Sequence, residues 1–241
     1  NITKEHLMAE GFKLFGFEIT RTKDKKAIKS IVPPRDDDGA GYVTSTSHGA
    51  HYGHYINMDG DDAKDNAQLI LKYRGAAMHP EADAAIEDIV NEAITASDIK
   101  PTLELNLEKV PVGAGIKKQI QEEFVKIQNM LNFKELGHDI FRRWYIDGRL
   151  YHHLVVDEAN LAAGIQEIRY IDSAKIRKVK QVKKKKDPIS GATLVDRVNE
   201  FYIYQEKPGS QASAVRMSAD SISYITSGLL DENRRKIVSV I

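Results

Sequence analysis

Apolar residues are sparse in the first 60 positions of the chain and gather only over 12–17. The sequence then turns basic over 21–29, passes a proline pair and an acidic turn at 36–39, and continues as a Gly, Ser, Thr and His tract. Such composition is typical of extended or irregular backbone, because little apolar surface is available to bury. We therefore predict an N-terminal arm over 1–60 that is ordered only where something else covers it.

Between residues 61 and 147 apolar positions recur at i, i+3 and i+4, the spacing of one helix face. Pro80 stands at the favoured first position of the second of these helices. The pattern predicts four amphipathic helices whose apolar faces share a core, over 61–74, 80–94, 114–131 and 133–147. Between the second and third helices, Leu103, Leu105 and Leu107 alternate with polar residues and predict a short strand.

After residue 148 the period changes to runs of β-branched and aromatic residues between turn signals. These runs predict strands over 149–157, 165–171, 175–182, 194–204 and 221–226. An Asp-Pro-Ile-Ser-Gly turn at 187–191 joins the third and fourth strands into a hairpin. We predict an α+β fold: the arm over 1–60, then a unit over 61–230 with helices to about 147 and a mostly antiparallel sheet after.

Charge and composition narrow the function classes. Lys and Arg number 35 and so do Asp and Glu, so the chain as a whole has no electrostatic pull toward nucleic acid or an anionic membrane. The absence of Cys excludes a disulfide framework, a thiol nucleophile and a Cys-ligated zinc site. Because the chain begins with Asn1, we expect it to be cut from a longer protein.

Motifs for catalysis or cofactors do not stand out. The sequence has no nucleophile elbow, Walker A loop, dinucleotide fingerprint or H-E-x-x-H motif, so we expect no catalytic residue and no cofactor. His48, His51 and His54 form the most metal-like series. They lie in a Gly-rich loop without a carboxylate or Cys partner, so we interpret them as solvated or interface histidines and expect no metal site. His152 and His153 are consecutive in a strand and should face opposite sides.

A dense basic block is the main candidate for contact with DNA or another partner. Eight of the twelve positions from 175 to 186 are basic: Lys175, Arg177, Lys178, Lys180, Lys183, Lys184, Lys185 and Lys186. On a hairpin tip these side chains can contact phosphates, each adding salt-sensitive affinity. A charged loop that protects an exposed sheet edge is the interpretation we favour at this stage. No aromatic residue is interleaved, so stacking on bases is not indicated.

Several blocks together carry a family resemblance. They are Tyr73-Arg74, the helical run 83–94, FRRWYIDGRLYHH at 141–153, GIQEIRYID at 164–172 and SGLLD at 227–231. In order and spacing they resemble the portal vertex proteins of T-even-like tailed phages, a myovirus family. The resemblance is good from about 60 to 241 and looser in the arm, and the lysine-rich hairpin tip departs from it most.

The resemblance implies a structural subunit of a dodecameric ring at the unique capsid vertex, and no enzyme. Such a ring is the conduit for DNA packaging and ejection, and it nucleates head assembly. Expected partners are further copies of the chain, the major capsid protein, the terminase large subunit, neck and head-completion proteins and double-stranded DNA in the channel, with no small-molecule substrate.

The resemblance also places the parts of this chain. Residues 61–230 would be the wing domain and 231–241 would lead into a stem helix, in a virion protein assembled in the host cytoplasm. The arm would lie on an adjacent subunit or on the capsid shell. Two alternatives stay open: another phage neck or baseplate protein, and a nucleic-acid-binding module that uses the lysine-rich hairpin.

Overall fold

The helices and strands come from a computed structural model that describes residues 12–14, 17–19, 30, 38–46, 61–95, 102–157, 159–187, 191–206, 214–231 and 236–241. Its helices are α1 (Asp61–Ala76), α2 (Pro80–Ala93), α3 (Ala114–Met130) and α4 (Phe133–Asp147). All four predicted helices are confirmed to within about two residues at each end.

Three sheets are present in the described part of the chain. The strands are β1 (Phe12–Leu14), β2 (Phe17–Ile19), β3 (Gly41–Thr46), β4 (Arg149–Val156), β5 (Ile165–Ile171), β6 (Ile176–Lys186), β7 (Thr193–Gln205), β8 (Ala214–Ser218) and β9 (Ile222–Thr226). Strands β1 and β2 form a small antiparallel pair. The larger sheets have the orders β3-β6-β7-β8 and β5-β4-β9. The α+β class and the β6–β7 hairpin are confirmed, whereas β1, β2, β3 and β8 were not predicted as strands.

The arm contributes a strand to the large sheet. Strand β3 pairs in parallel with β6, from Gly41 opposite Val179 to Thr46 opposite Lys184. The remaining pairs of the two larger sheets are antiparallel. Residues 41–46 are therefore ordered by the chain's own sheet. This corrects, for that segment, the expectation that the arm needs an adjacent subunit or the capsid shell to cover it.

Two apolar clusters hold the helices and sheets together. Ala77, Ile86, Val90 and Ile146 are buried between α1, α2 and α4. Between the two larger sheets lies a second cluster, Tyr151, Ile171, Ile176, Tyr202 and Ile222, against which Tyr224 stacks on Tyr151 with ring centroids 4.6 Å apart. Full burial of each large apolar side chain contributes about 1.5–3 kcal/mol. Burial also raises the pKa of Tyr224 to about 12.

The prediction of a short strand between α2 and α3 is wrong, as the structure of residues 102–110 shows. They lie in turns and extended backbone without a ladder partner in the described chain, and Leu107 accepts a turn hydrogen bond from the Val110 amide. Leu103 is exposed and its two neighbouring leucines are only half-buried. Alternation alone does not make a strand, because strand formation depends on packing against cross-strand neighbours.

The third helix also differs from expectation. It has no buried residue, although its apolar stripe predicted a face in the core. It contacts α4 along one side, and Ile120, Val125 and Ile127 remain more than a third exposed. Periodicity reports which side of a helix is apolar, but it does not report whether the same chain covers that side.

The predicted His pair is arranged as expected for consecutive strand residues. His152 is buried and its ring meets Tyr170 edge-on at 6.2 Å, whereas His153 is only half-buried. Burial lowers the pKa of His152. The ring therefore packs as neutral imidazole in the β4 strand, and the two histidines do not act together.

The end of the chain is extended over 236–241, which corrects the expectation of a stem helix there. Ile237 forms an antiparallel bridge with Leu230 and is fully buried. The Val240 amide donates to the Tyr145 carbonyl at 3.2 Å. Backbone bonding back onto α4 and the segment after β9 therefore holds these residues extended.

Candidate functional site

The predicted basic block divides into two groups along β6. In the first group, Lys175 pairs with Glu206, with Nζ and Oε1 2.6 Å apart. Lys178 and Lys180 share the strand face of Glu200, which lies opposite Lys180 in β7. Arg177 faces the other side, half-buried and opposite Ile203. Lys175, Lys178 and Lys180 therefore take part in ion pairs within the described structure.

Asp38 completes the ion-pair network of this first group. Its Oδ2 lies 2.7 Å from Lys178 Nζ and 2.8 Å from Lys180 Nζ, and the Lys180 side chain is 1% exposed. Glu200 Oε2 accepts from Lys178 at 2.9 Å. Burial disfavours the Asp38 carboxylate, but hydrogen bonds from the two lysines and the Ala40 amide outweigh it and lower the pKa of Asp38. The Tyr224 hydroxyl also donates to the Asp38 carbonyl at 2.8 Å.

This network fastens the described part of the arm to the sheet, so Asp38→Ala should lower the free energy of unfolding by about 2 kcal/mol. Because the pKa of Asp38 is lowered in the folded chain, its stabilisation is present above the unfolded pKa and is lost as pH falls through the folded value. The difference from the parent chain should therefore shrink below pH 3.8. Urea titrations across pH and amide exchange in β3 measure both effects.

Asp196→Ala is the matched control, since Asp196 is exposed and no ion pair is recorded for it in the described chain. It should leave both the urea midpoint and β3 exchange unchanged. Equal exchange rates in β3 for Asp38→Ala and the parent chain would show that Asp38 does not hold the arm.

The second group of cations lies at the far end of β6. Lys183, Lys185 and Lys186 are exposed and Lys184 is half-buried. Across the hairpin, exposed Arg197 stands directly opposite Lys183. Strand β3 ends at Thr46, opposite Lys184, so the last two lysines pair only with β7 in the described structure. No ion pair is recorded for these five side chains within the described residues. We refer to them as the lysine end.

A buried ion-pair joint links the helices to the sheets. Arg74 of α1 donates two hydrogen bonds, of 2.9 and 2.7 Å, to the carboxylate of Asp147 at the end of α4. The same guanidinium donates to Asp172, just after β5, at 2.7 Å. The Asp147 side chain is 2% exposed. Burial opposes ionisation of Asp172, but the hydrogen bonds from Arg74 and the Ala174 amide, together with the nearby positive charges, outweigh it and lower the pKa of Asp172.

Arg149 forms a second buried joint beside the first. It is 2% exposed and donates to Asn66 of α1 at 2.8 Å and to the Ile237 carbonyl at 2.5 Å. Ser173 in turn donates to the Arg149 carbonyl at 3.2 Å. Sequence reasoning did not identify this role. Its only signal was position: Arg149 directly follows the Asp-Gly pair that ends α4.

An open cleft of about 800 Å³ lies between α1, α2, α4 and β5. The charged side chains at the cleft form ion pairs with one another. Arg142 contacts Asp83 and Glu87, and Arg143 contacts Asp139 at 2.6 Å while its guanidinium lies 4.5 Å from the Tyr170 ring centroid. The cleft is thus lined by salt-bridged side chains that connect neighbouring elements.

The described residues contain neither a metal-binding cluster nor a membrane-spanning helix. Among them, no group of three or more His, Cys, Asp or Glu is placed to hold a metal ion. His48, His51 and His54 lie outside the residues that the structure describes. Of the helices in the described ranges, none has the length and hydropathy of a membrane span.

Comparison with known proteins gives one consistent family. The family model described as "Bacteriophage T4-like portal protein (Gp20)" matches residues 66–241. The portal protein of Vibrio phage KVP40 is 30% identical over 220 residues, which is 86% of this chain and 42% of that protein. The portal protein of Salmonella phage ViI is 26% identical over 227 residues, covering 88% and 40%. The chain therefore spans about two fifths of the length of these relatives.

Proposed function

Because the chain belongs to the bacteriophage T4-like portal protein family, we propose that it is part of a structural subunit of the portal ring at the unique capsid vertex. The family match over 66–241 carries this proposal and favours a portal over the neck or baseplate component that the sequence left open. In this role the ring conducts DNA during packaging and ejection and nucleates head assembly.

The proposed partners and location follow from the same role. They are further copies of the chain in a dodecamer, the major capsid protein, the terminase large subunit during packaging, neck proteins afterwards, and double-stranded DNA in the channel. The protein would assemble in the host cytoplasm and remain in the virion. Residues 61–230 would form the wing and 231–241 the start of the stem region.

The side-chain contacts that join helices and strands support a structural role of this kind. Arg74 ties α1 to α4 and to the end of β5, and Arg149 ties α1 to the last described residues. Side-chain hydrogen bonds and ion pairs between packed elements oppose small relative displacements of those elements. A structural subunit of a ring benefits from this resistance.

The uncovered face of α3 supports assembly with further copies. Ile120 and Ile127 lie on the same side of α3 and are 37% and 42% exposed on a helix with no buried residue. A closed ring is built from head-to-tail contacts, so each subunit must offer surfaces that its own fold leaves open. We propose that a neighbouring copy covers this face of α3 in the ring.

Electron microscopy of the full-length protein tests the proposed role directly. A closed ring of twelve subunits with a central channel is the expected image. A protein that stays monomeric at high concentration, or that forms open filaments, would contradict the role.

Ile120→Glu combined with Ile127→Glu should prevent ring formation while the chain still folds, because both side chains are already partly exposed. Two carboxylates in a desolvated contact each cost several kcal/mol, so assembly should fall by orders of magnitude. Analytical ultracentrifugation reports the assembly, and circular dichroism reports the fold.

Gln119→Glu combined with Gln121→Glu is the charge-matched control on exposed polar positions of the same helix. It should assemble as the parent does. If both double variants form rings, α3 is not at the contact. The portal role itself would stand, since its own test is the image of the parent protein.

A further inference from the structure

The lysine end of the large sheet is a cation cluster that forms no ion pair within the described residues. We propose that Lys183, Lys184, Lys185, Lys186 and Arg197 bind the sugar-phosphate backbone of duplex nucleic acid without reading its sequence. The proposed contact does not depend on ring formation.

The contrast within one strand supports a ligand. Lys175, Lys178 and Lys180 each have a carboxylate within 3 Å, and together they stabilise the fold. A few residues further along β6, the charges stand together without an ion pair in the described structure. The same strand therefore shows what a structural lysine looks like in this protein, and the lysine end differs from it.

The arrangement has a cost in the free chain. Lys183 and Arg197 are direct cross-strand neighbours, and like charges in that position are destabilising. Lys183 and Lys185 share one strand face and Lys184 and Lys186 the other, so each face carries two like charges. The nearby carboxylates of Asp187 and Asp196 are fewer than the cations. A bound polyanion would remove the repulsion.

The geometry favours a regular backbone of phosphates. A strand rises about 3.3 Å per residue, so side chains on one face are about 6.6 Å apart. One strand of a duplex carries a charge about every 3.4 Å along its axis, so alternate lysines match every second phosphate. Lysine acts here as a point charge and needs no particular base.

Single-stranded nucleic acid and acidic protein fit less well. Val195, Leu194 and Thr193 lie opposite Lys184, Lys185 and Lys186 across the hairpin, so within these described strand pairs no aromatic ring is placed to stack on bases. Protein contacts usually depend on buried aromatic or arginine anchors at their centre. An exposed cluster of point charges has none, so a duplex backbone is the better match.

Binding of the purified protein to a labelled random duplex of about 30 base pairs tests the proposal across a salt series from about 50 to 200 mM. Two lysines on one strand face together with Arg197 make three phosphate contacts, which predict that affinity falls about 40-fold over this range. Replacing Lys183 to Lys186 with Gln should reduce that fall to a few-fold and weaken binding strongly at the lowest salt. Replacing the same four lysines with Arg should preserve both values.

The charge-matched control replaces four other lysines with Gln: Lys72, Lys109, Lys117 and Lys134. This variant should bind the duplex as the parent does. Equal losses in the two Gln variants would overturn the site, as would an absence of duplex binding at low salt. Competition with polyglutamate tests whether the lysine end binds acidic protein instead. If it competes as well as duplex DNA at equal charge, the lysine end binds acidic protein and the proposal is wrong.

Discussion

Arg74→Ala should lower the free energy of unfolding by about 3–5 kcal/mol, the largest effect expected for a side-chain truncation on the surface of the cleft. Arg74 supplies two hydrogen bonds to Asp147, whose side chain is 2% exposed. Without the guanidinium, that carboxylate stays buried with no counter-charge. Urea unfolding followed by circular dichroism measures the loss, and the slope should stay constant if only stability changes.

Two further variants separate the buried pair from general charge effects. Arg169→Ala removes an arginine from a fully exposed pair with Glu167, and the urea midpoint should not move. Arg74→Met combined with Asp147→Leu should recover much of the loss, because an apolar pair replaces the buried pair without leaving a bare charge. If Arg74→Ala is as mild as Arg169→Ala, Arg74 does not hold the joint.

Local patterns in the sequence predicted the elements well. Each of the four helices appears where the 3.6-residue period placed it, and Pro80 begins α2 as expected. Helix formation depends on residues three and four apart, so a short window contains the needed information. The β6–β7 hairpin was predicted for the same reason, since its turn lies between the two strands.

Long-range pairing was the part that the sequence did not reveal. The bond between Lys178 and Asp38 joins residues 140 positions apart. Strand β3 lies in a segment of low apolar content and pairs in parallel with β6. Neither its partner nor its direction can be read from local periodicity, because parallel strands need no short connection.

The number of basic residues in the sequence likewise did not show which of them form ion pairs in the fold. The sequence placed eight basic residues together in one block, but it did not show that Asp38, Glu200 and Glu206 neutralise part of them. Only the fold separates structural lysines from the lysine end. The DNA-binding hypothesis therefore changed from eight residues to Lys183–Lys186 together with Arg197, which the sequence had not included.

The same contacts connect several of the sequence blocks that carry the family resemblance. Tyr73-Arg74, the Asp147-Gly148-Arg149 segment and Asp172 come from three separate blocks, yet Arg74 bonds to both aspartates. Arg149 then reaches the last described segment at Ile237. Residues recognised as a family pattern are thus the joints between elements, as befits a protein whose proposed role is mechanical.

Gly148→Ala should destabilise the chain by about 3–4 kcal/mol, because two costs act at the same position. Gly148 ends α4 with φ of 69°, a left-handed conformation that costs other residues about 1–2 kcal/mol. A Cβ there would also lie 2.3 Å from the Val238 carbonyl oxygen. The clash is with backbone, so the 236–241 segment must move and lose its bonds to Ser227 and Leu229.

Gly191→Ala isolates the conformational part of this cost. Gly191 has φ of 70°, but a Cβ there meets nothing within 4 Å, so about 1 kcal/mol is expected. Urea unfolding gives the two values, and amide exchange at Val238 and Val240 should accelerate only in Gly148→Ala. Equal destabilisation by the two alanines would mean that the close approach of Val238 adds nothing. The packed end of the chain would then be held by Arg149 and the Leu230–Ile237 bridge instead.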